Sequence, residues 1–197
     1  MASILFDVYH SFYDKFMQIF KLDDHQAIVG SVEAFASKRQ LTIADIGGGT
    51  GLLADTLIRR GHEVTIIDPA KKMTKIAKQR NPEVKTINEP FENYPGSNLS
   101  YDIVILRDCF HHLQDQALTL AKIFQMLRDD GLLVIQEYSP ASISARLLFA
   151  FERCCLEKVS PVDPDTLTWM MNQANFLSTH TRLNNRDYLV TGVKKKP

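Results

Sequence analysis

Leu41-Thr42-Ile43-Ala44-Asp45-Ile46-Gly47-Gly48-Gly49-Thr50-Gly51 indicates the fold of this chain more clearly than any other segment. An apolar run with β-branched residues leads into an acidic residue, and glycines follow at positions 47, 49 and 51. This pattern predicts a buried strand and a glycine-rich turn before a helix, where the backbone approaches a ligand and offers amide donors. The spacing differs from the G-x-G-x-x-G of dinucleotide-binding folds, and no lysine follows the last glycine as in a P-loop.

The composition indicates one globular domain over residues 1–197. A length of 197 residues is sufficient for one domain with a full hydrophobic core and too short for two such domains. With 45% hydrophobic and 23% charged residues, the composition is typical of a globular protein. The 23 basic and 23 acidic side chains cancel. We therefore expect no nucleic-acid partner, because such binding depends on an excess of positive charge.

Cysteine usage and the N-terminus indicate a cytoplasmic protein. The three cysteines, Cys109, Cys154 and Cys155, follow no disulfide or zinc spacing, and a reduced compartment is the simplest interpretation. The N-terminus lacks the pattern of a signal peptide, and no apolar run is long enough to span a membrane.

Strands and helices alternate after residue 41. The predicted strands are 41–46, 63–68, 84–87, 101–106, 132–137, 177–183 and 187–193. The predicted helices are 50–60, 71–80, 115–129, 141–158 and 164–175, with the third ending near Asp130-Gly131. Near-continuous apolar strands between helices predict an α/β fold with a doubly wound, mostly parallel, Rossmann-like sheet. The last two strands, joined at Asn184-Asn185, must form an antiparallel C-terminal hairpin.

Residues 4–37 read as helical and precede the sheet. Their aromatic residues form one stripe at three- and four-residue steps: Phe6, Tyr9, Tyr13, Phe16 and Phe20. Packing against the main domain is the favoured interpretation of this stripe, and a cap that closes over a ligand is the alternative. We expect a helical cap over 1–40 and a core over 41–197.

Asp68 closes the second predicted strand, 17 residues after Gly51. In a doubly wound sheet, ligands bind at the carboxyl ends of the strands, where an acidic residue accepts hydrogen bonds from ribose hydroxyls. The alternative is that Asp68 caps the following helix. The glycine loop upstream favours the ribose role.

Four motifs in order carry a resemblance to a known family: Asp45–Gly51, Asp68-Pro-Ala-Lys-Lys-Met73, Tyr101-Asp-Ile-Val-Ile and Phe110-His-His-Leu113. Together they resemble class I S-adenosylmethionine (SAM)-dependent methyltransferases, in particular those of ubiquinone and menaquinone biosynthesis. The resemblance covers residues 41–193. It implies SAM as the cofactor, S-adenosylhomocysteine as its product, no metal, and a small-molecule acceptor.

The resemblance also implies roles for single residues. The methionine part of SAM passes along Gly47, Gly48 and Gly49, while Asp45 orients this loop. Asp68 binds the ribose hydroxyls. Met73 packs on the adenine, or alternatively fills a gap in the core.

The adenine side departs from the family pattern, in which an acidic residue precedes a small one. If Glu89 were the acid, the next residue would be Pro90, which has no amide to donate. If Asn88 takes that place, its carbonyl can accept from the adenine amine and the Glu89 amide is free. We favour Asn88, and a solvated loop without ligand contact is the alternative.

Candidate catalytic residues follow the fourth and fifth strands. Arg107 is placed to bind a carboxylate of SAM or substrate, or alternatively pairs with Asp108. His111 and His112 are candidate general bases, and Glu137 is a further one. Capping or packing is the alternative for at least one histidine. We predict no metal between the two histidines, because neighbouring residues are expected to face different ways.

The segment 138–162 supplies an apolar surface that indicates an apolar or aromatic substrate. Its members are Ala145, Leu147, Leu148, Phe149 and Phe151. The predicted function is methyl transfer from SAM to such a small molecule. The alternative is a SAM-binding regulatory or scaffold protein without catalysis.

Overall fold

The computed structural model describes residues 24–96, 100–154 and 157–195. The predicted N-terminal aromatic stripe lies outside the described residues. The backbone groups into two compact units, Met1–Tyr94 and Pro95–Pro197. Within the described residues, no helix is both long and apolar enough to cross a membrane.

The described part of the first unit alternates three helices with three parallel strands. Its elements are α1 (Gln26–Ala36), β1 (Thr42–Ile46), α2 (Leu52–Ile58), β2 (Glu63–Ile67), α3 (Lys71–Arg80) and β3 (Lys85–Ile87). Ile46 lies opposite Ile67, and Ile67 lies opposite Ile87. The loops that follow the three strands therefore begin at one edge of the sheet.

The second unit contains the remaining strands. Its elements are β4 (Tyr101–Arg107), a 3₁₀ turn (Phe110–His112), α4 (Gln116–Met126), β5 (Leu127–Tyr138), α5 (Ile143–Cys154), α6 (Pro164–Gln173), β6 (Phe176–Arg182) and β7 (Asp187–Lys194). β4 and β5 are parallel, with Arg107 opposite Gln136. β7 runs antiparallel to both β5 and β6.

The seven-stranded sheet has the order β3-β2-β1-β4-β5-β7-β6. This order confirms the predicted doubly wound, mostly parallel sheet with an antiparallel C-terminal hairpin. The apolar strands are buried along their length, as the alternation with helices predicts: every residue from Ile43 to Ile46 and from Tyr101 to Leu106 is buried.

Several predicted boundaries are shifted. The helix predicted over 141–158 is Ile143–Cys154, and the largest shift lies between the fourth helix and the fifth strand. Helix α4 ends at Met126, three residues before the predicted end, and β5 begins directly at Leu127. Leu127 pairs with Tyr101 on β4, and its carbonyl accepts a hydrogen bond from the buried Nζ of Lys194 at 2.8 Å. Gly131 therefore lies inside a strand and ends no helix. Pairing across the sheet outweighs the local helical pattern here.

Candidate functional site

The loop after β1 is a tight turn built on glycines. Gly47, Gly49 and Gly51 have φ angles of 70°, 52° and 74°. These angles lie in the left-handed region, which residues with a Cβ rarely adopt. The amide of Gly51 donates to the carbonyl of Gly48 at 3.0 Å and closes the turn.

Close neighbours also require glycine in this loop. A Cβ at Gly48 would lie 2.5 Å from Oδ2 of the buried Asp45. A Cβ at Gly51 would lie 2.8 Å from the Cβ of Ala77 on α3. At Gly49 the nearest atom is 3.8 Å away, the Cε of Met73. The loop is thus packed against the protein at positions 48 and 51, and position 49 has space.

Asp68 connects the end of β2 to the glycine loop. Its Oδ2 accepts a hydrogen bond from the amide of Gly49 at 3.0 Å, and its Oδ1 accepts one from the amide of Ala70 at 2.7 Å. Each carboxylate oxygen has a second lone pair that can accept from another donor. Asp68 therefore combines the capping role with a position next to the loop.

Asn88 follows β3 and is oriented by Thr74 of α3. The hydroxyl of Thr74 donates to the carbonyl of Lys71 at 3.1 Å and accepts from Nδ2 of Asn88 at 2.6 Å. Nδ2 is also 3.4 Å from the carbonyl of Asp68. These contacts leave Oδ1 of Asn88 as the acceptor for a ligand. Glu89 is exposed and makes no hydrogen bond or ion pair with any described residue.

In the second unit, an acidic residue with a strained backbone directly follows β4. Asp108 has a φ of 52° and its amide donates to the carbonyl of Gln136 at 3.0 Å. The Nε of Arg107 lies 3.4 Å from its Oδ2. Burial raises the pKa of Asp108 to about 7, although the neighbouring guanidinium acts in the opposite direction. Non-glycine residues in this conformation and perturbed acids both concentrate at functional sites.

His111 and Glu137 form a buried pair at the end of β5. Nδ1 of His111 lies 2.7 Å from Oε2 of Glu137, and the His111 amide donates to Oε1 at 3.2 Å. Burial alone would lower the pKa of His111, but the charges and hydrogen bonds of Glu137 and Glu152 raise it to about 10. The pKa of Glu137 is lowered despite its burial, because the His111 imidazolium stabilises the carboxylate.

His112 lies beside His111, with the two ring centroids 4.2 Å apart. Its Nδ1 is 3.3 Å from the carbonyl of Lys158 and its Nε2 is 3.8 Å from Oε1 of Glu152. Burial and the positive charge of His111 lower the pKa of His112. The two neighbouring histidines therefore differ in pKa, one raised and one lowered.

The chain after α5 lies along the 3₁₀ turn. The amide of Ser160 donates to the carbonyl of His111 at 2.8 Å, and Nε2 of Gln116 donates to the carbonyl of Ser160 at 2.9 Å. The hydroxyl of Tyr188 donates to the carbonyl of Val162 at 2.6 Å. These bonds fix Ser160 beside His111 and Val162 beside Tyr188.

A family model described as a methyltransferase domain matches residues 13–181 of this chain. The chain belongs to the methyltransferase domain family. A curated relative from Alkaliphilus oremlandii, called an uncharacterized methyltransferase, is 30% identical over 146 residues. That match takes in 68% of this chain and 65% of the relative, so the methyltransferase domain spans about two thirds of the relative's length.

Solved structures share the fold of this methyltransferase domain. A SAM-dependent methyltransferase from Thermotoga maritima, described as a possible histamine N-methyltransferase, superposes with a TM-score of 0.75 at 18% identity and covers 96% of this chain and 98% of its own. Phosphoethanolamine N-methyltransferase 2 of Haemonchus contortus, solved with SAM, has a TM-score of 0.71 at 14% identity. That match covers 87% of this chain and 53% of the nematode enzyme.

Within each unit of the methyltransferase domain the predicted residues lie close together. The first unit gathers Asp45, Gly47, Gly48, Gly49, Asp68, Met73 and Asn88 around one sheet edge. The second unit gathers Arg107, His111, His112 and Glu137 at and just beyond the carboxyl ends of β4 and β5. Sequence reasoning missed Thr74 and Glu152. Glu152 had a signal, because it continues the buried stripe of α5 at the spacing Ala145, Phe149, Glu152.

Proposed function

We propose that this domain transfers a methyl group from SAM to a small molecule. The observation that carries the proposal is the Gly49–Asp68 hydrogen bond. It fixes a glycine loop with space at position 49 beside the carboxylate that follows β2. Backbone amides and an acidic residue at the carboxyl ends of parallel strands suit a nucleoside ligand with a charged tail.

Each part of SAM has a matching group in the first unit. The methionine part would run along Gly47, Gly48 and Gly49, whose loop is shaped by Asp45 below it. The ribose hydroxyls would donate to Asp68, and the adenine amine to Oδ1 of Asn88, which Thr74 orients. SAM supplies an activated methyl on a sulfonium, so the protein has mainly to align the acceptor and exclude water.

We assign the acceptor to the segment 138–162. Tyr138 and Phe149 flank His111, with ring centroids 6.4 Å and 5.2 Å from the imidazole. An apolar or aromatic acceptor would suit these rings. The acceptors to test include phenols and quinols as aromatic compounds. They also include histamine and phosphoethanolamine, the small amines in the names of the two structural neighbours.

His111, His112 and Glu137 stay candidates for positioning or deprotonating the acceptor. Asp108 joins them, since its raised pKa keeps an exchangeable proton near neutral pH.

The test is calorimetry with SAM and S-adenosylhomocysteine, followed by transfer of a labelled methyl group to the acceptor panel. We expect binding in the micromolar range or tighter, and transfer to at least one acceptor. Absence of binding with both ligands would overturn the proposal. Tight binding without transfer to any acceptor would favour the regulatory or scaffold alternative.

A further inference from the structure

Three potential metal ligands converge beside the 3₁₀ turn of the second unit. Nε2 of His111 lies 3.6 Å from Oε2 of Glu152, and Nε2 of His112 lies 3.8 Å from Oε1 of the same carboxylate. One ligand atom from each of the three residues falls within 4.8 Å of the others. Three ligands of a tetrahedral zinc ion, at bonds of about 2.1 Å, lie about 3.4 Å apart. A small inward shift therefore brings all three to one ion.

Two of these ligand atoms have unmet hydrogen-bonding capacity. Among the described residues, Nε2 of His111 and Oε2 of Glu152 are buried and lie 3.6 Å from each other, which is too far for a good hydrogen bond. The His111 side chain is 2% exposed and that of Glu152 is 10% exposed. Buried polar atoms normally have partners, and an ion is one way to provide them.

The outer contacts orient both imidazoles as metal ligands. Nδ1 of His111 lies 2.7 Å from Glu137, and Nδ1 of His112 lies 3.3 Å from the carbonyl of Lys158. A histidine that donates from Nδ1 to a carboxylate or carbonyl coordinates an ion through Nε2, and metal-binding histidines are held in this way. Because His111 is protonated in the metal-free protein, the ion displaces the proton on its Nε2, which passes to solvent. Both Nε2 atoms face Glu152.

We propose that His111, His112 and Glu152 form a binding site for a divalent transition-metal ion, with zinc as the best match. Two imidazoles and one carboxylate make a ligand set that leaves a fourth position for water or a heteroatom of the substrate. Hard cations such as Mg²⁺ prefer oxygen ligands and fit this set less well. Our sequence-based argument against a metal assumed that neighbouring histidines face apart, whereas in the 3₁₀ turn both rings reach one carboxylate.

The test is titration of the full chain, prepared free of metal, with Zn²⁺ in a calorimeter and with Co²⁺ by visible absorption. We expect one equivalent to bind with submicromolar affinity, and Co²⁺ to give the intense bands of a tetrahedral site. Glu152→Gln and His112→Gln should each weaken Zn²⁺ binding at least about 100-fold, and Glu137→Gln, which alters only an outer contact, about 10- to 100-fold. Circular dichroism of the metal-free variants checks that each one folds.

Matched controls separate this site from other ligands. His180→Gln removes a more exposed histidine that lies 3.7 Å from Asp165, another histidine–carboxylate pair, and should leave the affinity unchanged. Replacement of Cys154 and Cys155 by serine should do the same. Absence of stoichiometric Zn²⁺ binding, or loss of binding in the serine variant with retention in Glu152→Gln, would overturn the assignment.

Discussion

The backbone amide of Gly49 donates a hydrogen bond to the carboxylate of Asp68 at 3.0 Å, so one side chain both ends β2 and shapes the loop after β1. The other carboxylate oxygen accepts from Ala70 at 2.7 Å. The shape of the loop thus depends on the same carboxylate that we propose binds the ribose.

Asp68→Asn tests this double role. The amide has only one carbonyl oxygen, so it cannot accept from Gly49 and Ala70 in the same way and carries no charge for the ribose hydroxyls. We expect the Kd for S-adenosylhomocysteine to rise at least about 10-fold, which corresponds to about 1.4 kcal/mol, and amide exchange of the loop to accelerate. Glu63→Gln is the control, because it removes an exposed carboxylate from the same strand, one that pairs with Lys85. Unchanged affinity in Asp68→Asn would remove the ribose assignment.

Gly48→Ala tests the packing of the loop on Asp45. The added methyl group would lie 2.5 Å from Oδ2 and 2.8 Å from Cγ of that buried side chain. We expect the free energy of unfolding to fall by about 1–3 kcal/mol, the usual cost of overpacking. Denaturant titration measures it, and the loss should shrink in the background Asp45→Ala, where the clashing atoms are absent.

Gly30→Ala is the matched control for the glycine substitution. Gly30 lies within helix α1, and a Cβ there meets nothing within 4 Å. Alanine in an exposed helical position is favoured over glycine by roughly 1 kcal/mol. If Gly30→Ala raises the free energy of unfolding and Gly48→Ala lowers it, the loss at position 48 comes from the contact of the added Cβ with Asp45. Equal effects at both positions would contradict this account.

The glycine loop and the strand order could be predicted because local patterns determine them. Alternate glycines, the acidic residue after β2 and continuous apolar strands each follow from backbone conformation and burial. The start of β5 could not be predicted in this way, because it depends on the pairing of Leu127 with Tyr101 and on a hydrogen bond from the distant Lys194. The contacts of Glu152 with both histidines join residues some forty positions apart in the chain, and no sequence spacing records such a contact.

Substitutions at Asn88 and Glu89 test which of the two residues binds the adenine. Both residues are exposed, but Thr74 holds Nδ2 of Asn88 at 2.6 Å, which leaves Oδ1 for the adenine amine, whereas the Glu89 side chain makes no hydrogen bond or ion pair with any described residue. We expect Asn88→Ala to raise the Kd for S-adenosylhomocysteine about 5- to 50-fold, because one hydrogen bond contributes about 1–2 kcal/mol. Glu89→Ala should leave the Kd within about 2-fold. The reverse ranking in calorimetry would place the adenine at Glu89, and no effect of either change would support the solvated loop.

Asp108 predicts a dependence of stability on pH. Burial raises its pKa in the folded protein to about 7, from a reference value of 3.8, with Arg107 and His111 opposing and Glu137 and Asp187 reinforcing the shift. The folded state therefore binds this proton more tightly than the unfolded chain. The resulting stability is fully present below about pH 4 and is lost as the pH rises through about 7.

Asp108→Asn removes the ionisable group and keeps a residue type that tolerates a φ of 52°. We expect the variant to gain about 1–3 kcal/mol over the wild type near pH 8, where the wild type has to bury a charge, and to lose most of that gain near pH 4. Asp130→Asn is the matched control, because Asp130 has a φ of 61° but is exposed, so deletion of its charge relieves no burial. Urea titrations at both pH values measure the difference. A gain that is the same at both values, or one shared by Asp130→Asn, would show that backbone conformation and not the buried carboxylate is responsible.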